Sequence, residues 1–194
     1  MAQTPTFPKL VSLACHDLRT PLATVSGFAR TLTGRMELPD ELLRPLSLIE
    51  AASEQLGDLL DDLGMLARIE GGRFQPQLAE IDTLELAAAV VESLAPGACE
   101  VAGEGGPVTV DVKVVTRALT NQARCVLRYG GLRHVELGAV AEGITLAPVP
   151  DAVGAVVLGE DLRDLGAAVA RRVVEAHGGS VELRGETLYV EIGV

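Results

Sequence analysis

Apolar residues in the first third of the chain recur at alternating three- and four-residue steps, the spacing of a helix packed along one side. Two such seams are present: Val11, Ala14, Leu18, Val25, Phe28 and Leu32, then Leu46, Ile49, Ser53, Leu56, Leu60, Leu63 and Ala67. They predict two antiparallel helices between about residues 8 and 70, joined over residues 34–40, with Pro39 and Asp40 starting the second. One hairpin buries little apolar surface. A second copy would complete a four-helix bundle, so we predict a homodimer.

After Gly71 and Gly72 the pattern changes to shorter segments punctuated by glycine and proline. Helical spacing occurs in three segments and strand-like alternation in five: 83–94, 113–129 and 162–177, then 108–110, 134–140, 143–146, 180–184 and 188–192. Helices beside a mixed or antiparallel sheet form an α/β sandwich. The predicted fold class is therefore α+β, with a helical hairpin domain at 1–72 and a sandwich domain at 73–194.

The charge and composition narrow the range of partners. The net charge is −11 and the pI is about 4.7, which disfavours nucleic acid and anionic membrane surfaces. The sequence shows no apolar run near the ~20 residues that span a bilayer, and residues 1–9 lack the pattern of a signal peptide. Three cysteines without metal-like spacing predict reduced thiols and no metal site: Cys15, Cys99 and Cys125. We expect a cytoplasmic protein.

His16 carries the candidate chemistry. It lies between Ala14 and Leu18, off the apolar seam, so its imidazole should project into solvent. Asp17 can hydrogen-bond the ring and raise the nucleophilicity of its free nitrogen. Thr20 lies one helical turn further on the same face, and Pro21 removes a backbone donor there. The other two histidines lack a neighbouring base; we expect His177 to cap a helix and assign no partner to His134.

The segment Ala14 to Leu22, ACHDLRTPL, resembles the H-box of sensor histidine kinases, and Ser26, Gly27 and Phe28 continue the likeness. The resemblance implies a dimerisation and phosphotransfer hairpin with His16 as phosphoryl acceptor and donor. It also implies that Asp17 acts as base or orienter. The pair Asp17 and Thr20 resembles the family's phosphatase motif, in which a Thr helps to position water.

The second half resembles the ATP-binding domain of the same family, with losses. Asn121 stands where the N-box has its first Asn, but Cys125 replaces the second, metal-ligating Asn, and a neutral thiol is a poor ligand for Mg²⁺. We interpret Cys125 as a buried apolar residue.

The segment Leu165 to Gly179 resembles the final glycine box, of which Gly166 is retained. Leu162 and Asp164 replace two earlier glycines, and a carboxylate at a helix N-terminus is itself a good cap. The Asp-x-Gly-x-Gly motif is absent from the sequence, and residues 151–154 are a remnant of it. We therefore expect no ATP and no metal, only remnant positions at Asn121, Cys125, Asp164 and Gly166.

These features favour a histidine phosphotransferase of a phosphorelay that moves phosphoryl groups between receiver aspartates through His16. It would depend on an upstream kinase, with Mg²⁺ supplied by the receiver domain. We expect that domain to dock on the flank of the bundle below His16, near Phe28, Ala29 and Leu32 and the facing part of the second helix. Three alternatives remain open: a histidine kinase or kinase fragment with an atypical ATP site, a non-catalytic pseudokinase scaffold, and a receiver phosphatase using Thr20.

Overall fold

The computed structural model describes residues 6–35 and 38–192, except for the side chain of Arg35. The ends of the two predicted domains and part of the predicted turn, at residues 36–37, lie outside the described residues. The chain forms two compact units that divide between Phe74 and Gln75.

The first unit is a helical hairpin, as predicted. Helix α1 spans Phe7–Arg35 and helix α2 spans Asp40–Glu70. Helix α2 begins directly after Pro39, which offers no side-chain cap, but Asp40 and Glu41 in its first turn suit the positive end of the helix dipole. Pro45 sits early in α2, where its ring meets little preceding helix.

Mostly small side chains are buried in the hairpin, and two of them, Ser53 and Ala67, belong to the predicted seam of α2. Cys15, Ala29, Ser53 and Ala67 are buried between the helices. Ion pairs from α1 to α2 flank this line: Arg19 with Asp61, and Arg30 with Glu50 and Glu54. By contrast, seam residues such as Leu18, Val25 and Phe28 are 55%, 49% and 68% exposed. Part of the predicted α1 seam is therefore exposed in a single hairpin, and its burial by a second copy stays a prediction.

The second unit is built on a mixed five-stranded sheet with a separate two-stranded pair. Its elements in chain order are β1 Ala79–Asp82, α3 Thr83–Glu92, β2 Cys99–Gly103, β3 Pro107–Val110, α4 Val112–Gly130, β4 Val135–Val140, β5 Gly143–Ala147, a 3-10 helix Asp151–Val153, α5 Gly154–Val157, α6 Leu165–Ala176, β6 Ser180–Arg184 and β7 Thr187–Glu191. The large sheet has the order β2-β4-β5-β7-β6, in which only β2 and β4 run parallel. Strands β1 and β3 pair antiparallel.

One face of the large sheet carries the core. Along β7, Leu188 and Val190 are buried while Tyr189 and Glu191 are exposed, as expected for a sheet covered on one side. Helix α4 contributes Val115, Leu119 and Val126 to this core, and α6 packs against α4. The predicted α+β class, a helical hairpin followed by an α/β sandwich, is confirmed.

The sequence prediction missed β1, β2 and α5. Asp82, Asp111 and Asp164 cap α3, α4 and α6, each accepting a hydrogen bond from a backbone N–H inside its helix. Across residues 6–35 and 38–192, no helix combines the length and hydropathy that a bilayer crossing requires.

Candidate functional site

The imidazole of His16 projects from α1 with 78% of its side chain exposed. Its Nδ1 lies 3.1 Å from Oδ1 of Asp17. Because an ionised carboxylate only accepts hydrogen bonds, this contact places the ring proton on Nδ1. The lone pair of Nε2 then faces solvent, where a phosphorus atom can be approached in line. The geometry therefore leaves Nε2 as the ring nitrogen of His16 that is not engaged by Asp17.

One helical turn beyond His16, the hydrogen-bonding of α1 is interrupted. Pro21 has no N–H, so it cannot donate to the carbonyl of Asp17 four residues earlier. The helix nevertheless runs unbroken from Phe7 to Arg35, and the hydroxyl of Thr24 donates to the Thr20 carbonyl at 3.1 Å. Thr20 is exposed, so its hydroxyl is available on the face of α1 that carries His16.

A groove of about 560 Å³ lies between α1 and α2. It is lined by Arg19, Leu22, Ala23, Ser26, Ser53, Glu54, Gly57, Asp58 and Asp61. The expected receiver contact around Phe28, Ala29 and Leu32 needs correction, because Ala29 is only 3% exposed and packs inside the hairpin.

In the second unit, the structure brings the remnant nucleotide-site positions together. A Cβ added at Gly166 would come within 3.0 Å of the Asn121 side chain, so the start of α6 approaches α4 closely here. The carboxylate of Asp164 accepts a hydrogen bond from the Ala167 N–H at 2.9 Å and lies 3.6 Å from Nη1 of Arg128. The carboxylate of Asp164 thus occupies the N-terminus of α6, where an anion from outside the chain would otherwise bind.

Cys125 completes this cluster with a thiol that stays protonated. Burial raises its pKa to about 12, and the charge of Asp164 adds to the effect, while Arg128 and Arg163 oppose it. Magnesium ions prefer oxygen ligands, and a protonated thiol offers none. Among the described residues, no group of three His, Cys, Asp or Glu side chains could hold a metal ion. The side chain at position 125 therefore does not fit a Mg²⁺ ion.

The segment that joins α5 to α6, residues 158–164, is tied to the end of α4. The hydroxyl of Tyr129 donates to the Arg163 carbonyl at 2.7 Å, and the guanidinium groups of Arg128 and Arg163 each lie 5.9 Å from the tyrosine ring centre. Leu162 is 80% exposed. Sequence reasoning did not identify Arg163, because nothing local links it to an aromatic ring on another helix.

The remaining histidines are structural. His177 is the C-cap of α6, where its Nδ1–H donates to the Val173 carbonyl at 2.8 Å and its Nε2 accepts from the Asp111 N–H at 3.3 Å. The ring therefore bridges the end of α6 and the start of α4, and the predicted capping role of His177 agrees with its position as C-cap. His134 does have partners: Nδ1 lies 3.0 Å from the Gly97 carbonyl and Nε2 lies 3.4 Å from Glu100.

Comparison with known proteins identifies the hairpin. The family model described as the His Kinase A (phospho-acceptor) domain matches residues 9–72. The chain is 28% identical to the methanogenesis regulatory histidine kinase FilI of Methanothrix harundinacea, over 92% of this chain and 23% of that protein. It is 27% identical to the probable sensor histidine kinase TcrY of Mycobacterium tuberculosis, over 96% of this chain and 45% of that protein. It is 28% identical to the sensor protein SphS of Synechococcus elongatus, over 90% of this chain and 50% of that protein.

Solved structures share the fold over nearly the whole chain. Full-length ShkA, solved in complex with AMPPNP, is 22% identical with a TM-score of 0.70, covering 97% of this chain and 47% of ShkA. The histidine kinase AdeS of Acinetobacter baumannii is 17% identical with a TM-score of 0.57, covering 92% of this chain and 98% of that one. The chain spans half or less of the length of the curated relatives described above.

These findings overturn the predicted function. A histidine phosphotransferase without autophosphorylation is wrong, because the relatives that align over 90% or more of the chain include named histidine kinases, and the alignment runs through the second unit as well as the hairpin. The predicted dependence on an upstream kinase has no support either. Residues 9–72 thus match a phospho-acceptor domain, and both units of the chain are similar to sensor histidine kinases.

Proposed function

We propose that this chain is the phosphotransfer core of a sensor histidine kinase, in which His16 accepts a phosphoryl group from ATP and passes it to a receiver aspartate. One observation carries the proposal: an exposed imidazole whose Nδ1 is held by Asp17, on a hairpin that matches a phospho-acceptor domain. The second unit supports it, since the kinase similarity extends through that unit.

The chemistry at His16 proceeds in two transfers. In the first, the lone pair of Nε2 attacks phosphorus, a P–N bond forms, and the P–O bond to the departing nucleotide breaks. Asp17 keeps the proton on Nδ1 and offsets the positive charge that develops on the ring. In the second, a carboxylate oxygen of the receiver attacks the same phosphorus, the P–N bond breaks, and the imidazole is regenerated.

The nucleotide site of the second unit departs from the family pattern at the metal ligand. Because the protonated thiol of Cys125 offers no oxygen to Mg²⁺, we derive no step through a metal bound at this residue. The departure does predict a weak donor site. We therefore expect His16 to be labelled slowly and only at millimolar Mg-ATP, and Cys125→Asn to accelerate labelling.

The same proposal includes the assembly of the chain and a second activity. We expect the chain to form a homodimer, because the outward-facing apolar residues of the hairpin would be covered by a second copy: Leu18, Val25, Phe28, Ile49 and Leu56. We also expect Thr20, on the face of His16, to support dephosphorylation of the receiver. Thr20→Ala should then spare transfer and lower only receiver dephosphorylation.

The test is a labelling assay on the full chain with millimolar Mg-ATP carrying a radioactive γ-phosphate. The expected product is acid-labile and alkali-stable, as a phosphoramidate should be, and it should be absent from His16→Gln. That variant should keep its helical content, because an exposed side chain contributes little to packing. An unlabelled wild-type chain, or a His16→Gln variant that still carries the acid-labile label, would refute the proposal.

A further inference from the structure

The large sheet of the second unit has an outer face, opposite to the core, that is exposed. Val140 is 45% and Tyr189 is 36% exposed on this face, because alternate residues of β4 and β7 point away from the core. The remnant nucleotide-site positions belong to α4 and to the start of α6, and these helices pack on the core side. The outer face is therefore separate from the residues that the proposed phosphoryl transfer uses.

A hollow of about 240 Å³ opens on the outer face over strands β5, β7 and β6. Its apolar lining includes Val140, Gly143 and Tyr189. A Cβ at Gly143 would collide with the Val190 carbonyl oxygen, so the sheet itself requires glycine at this point of the lining. Pockets for drug-sized ligands measure about 300–1,000 Å³, so the hollow has the size for one long side chain.

The hollow is lined by more negative than positive charge. Its lining includes the carboxylates of Glu142, Glu182 and Glu191, and among the described lining residues Arg184 alone is cationic. The guanidinium of Arg184 is already engaged, since it donates to Glu182 at 2.7 Å and lies 4.7 Å from the ring centre of Tyr189. The pKa of Arg184 is raised, chiefly by this hydrogen bond and to a lesser degree by the charge of Glu191. Arg184 offsets one of three carboxylates, so the hollow keeps an excess of negative charge.

A further carboxylate, that of Glu136, stands at the other end of the outer face. Glu136 is opposite Ala147 and Glu191 is opposite Gly143, and these two partners are four residues apart on β5. With strands about 4.8 Å apart and a rise of about 3.4 Å per residue, Glu136 and Glu191 are about 16 Å apart on the diagonal. Thr145, a small residue, lies at the midpoint of this diagonal. In an α-helix, about 16 Å corresponds to about eleven residues, or three turns, so both ends would lie on one side of the helix.

We propose that the outer face of the sheet binds a basic helix of another protein, with one lysine or arginine side chain in the hollow and another beside Glu136. The apolar stem of the inserted side chain packs on Val140 and Tyr189, and its cationic end meets Glu142 and Glu191. The net charge of −11 adds long-range attraction for a basic partner and disfavours a second copy of this chain as the occupant. The proposal concerns binding alone and goes beyond the proposed function.

The test is an NMR titration of the full chain, labelled with nitrogen-15, by synthetic helical peptides. The first peptide is alanine-rich and carries two arginines eleven residues apart. The control peptide has the same composition, but its arginines are nine residues apart and so point to opposite sides of the helix. Because the face is small, the first peptide should bind with a dissociation constant on the order of 0.1–1 mM and shift amide signals of β5, β6 and β7. The control peptide should bind at least fivefold more weakly.

A pair of matched variants tests the role of the hollow. Glu142→Lys places a positive charge in the lining and should weaken binding of the first peptide at least tenfold. Glu186→Lys makes the same charge change at an exposed position outside the lining, in the turn between β6 and β7. It should bind the peptide within twofold of wild type. The amide spectrum of each variant shows whether the fold is retained.

Several outcomes would overturn the inference. These are no saturable binding of the first peptide, equal affinity for the two peptides, or signal shifts outside the sheet. Equal weakening by Glu142→Lys and Glu186→Lys would show that only the net charge matters. Binding of free arginine amide as tight as that of the peptide would assign the hollow to a small cation instead. The peptide needs neither nucleotide nor phosphate on His16, so a failure here leaves the proposed function untouched, and a failure to label His16 leaves this inference untouched.

Discussion

Gln122 offers the sharpest test of the energetics of the second unit. It lies on α4 with only 1% of its surface exposed, among apolar residues that face the sheet. Within the part of the chain that the structure describes, neither its amide oxygen nor its amide nitrogen has a hydrogen-bond partner. A buried amide without partners loses its hydration and gains nothing in return.

The magnitude follows from that loss. Leaving a buried polar group unpaired costs about 1–3 kcal/mol. Methionine has the same unbranched length as glutamine, fits irregular core space and carries no strongly polar atom. Gln122→Met should therefore raise the free energy of unfolding of the second unit by about 1–3 kcal/mol. Gln122→Glu should do the opposite, because it would bury a charge at the same place.

Urea denaturation of the full chain can isolate this effect. The protein has no tryptophan and two tyrosines, Tyr129 and Tyr189, and both lie in the second unit. Tyrosine fluorescence therefore reports the unfolding of that unit alone. With a slope of roughly 1–3 kcal/mol per molar urea, the midpoint should rise by about 1 M in Gln122→Met with the slope unchanged. Gln75→Met, at an exposed position, should leave the midpoint where it was. A midpoint lowered in Gln122→Met would show that the amide is hydrogen-bonded after all, and the reasoning would fail.

Four further outcomes are expected. Asp17→Asn should fold normally but slow the labelling of His16 by at least tenfold, since the ring loses its charged partner; an unchanged rate in a quench-flow assay would contradict this. Leu56→Glu should convert the dimer to monomer in multi-angle light scattering, and a dimer that persists would move the interface elsewhere. Asp164→Ala should lower the free energy of unfolding of the second unit by about 0.5–2 kcal/mol through loss of its cap, read by tyrosine fluorescence; an equal midpoint would show that the cap is dispensable. Cys125 should resist iodoacetamide at pH 8 in the folded chain, because a pKa raised to about 12 leaves almost no thiolate below that pH, and rapid alkylation seen by mass spectrometry would refute this.

Local patterns predicted most of the fold. The helical period located α1 and α2, and alternation of apolar and polar residues located β4 to β7, because each element buries one face against a core. Strands β1 and β2 escaped prediction for a physical reason. Among the strands of the described residues, β1 pairs only with β3, and the edge strand β2 pairs only with β4, so neither needs a strong apolar alternation.

The candidate site also contains residues that the sequence predicts and contacts that it does not. His16, Asp17 and Thr20 lie within one helical turn or so, and a contiguous motif reveals them. The approach of Gly166 to Asn121 depends on the packing of α6 against α4, which sequence spacing does not encode. Gln122 was unforeseeable as a core residue, because polar side chains in helices are usually exposed.

The ion pairs across the hairpin have a consequence for how α1 and α2 can slide. Arg19 meets Asp61 near His16, while Arg30, closer to the turn, reaches both Glu50 and Glu54, which are one helical turn apart. If α2 shifted by one turn along α1, Glu54 would take the place of Glu50 beside Arg30, so an ion pair would remain there. Met65 would take the place of Asp61 beside Arg19, and that ion pair would be lost. Of these three ion pairs, the one that such a shift would leave without a replacement is Arg19 with Asp61, at the end that bears the histidine. Since exposed pairs contribute about 0–1 kcal/mol, the resistance is small. Near the turn, the ion pairs of the hairpin thus tolerate a shift of one helical turn, and beside the reactive nitrogen they oppose it only weakly.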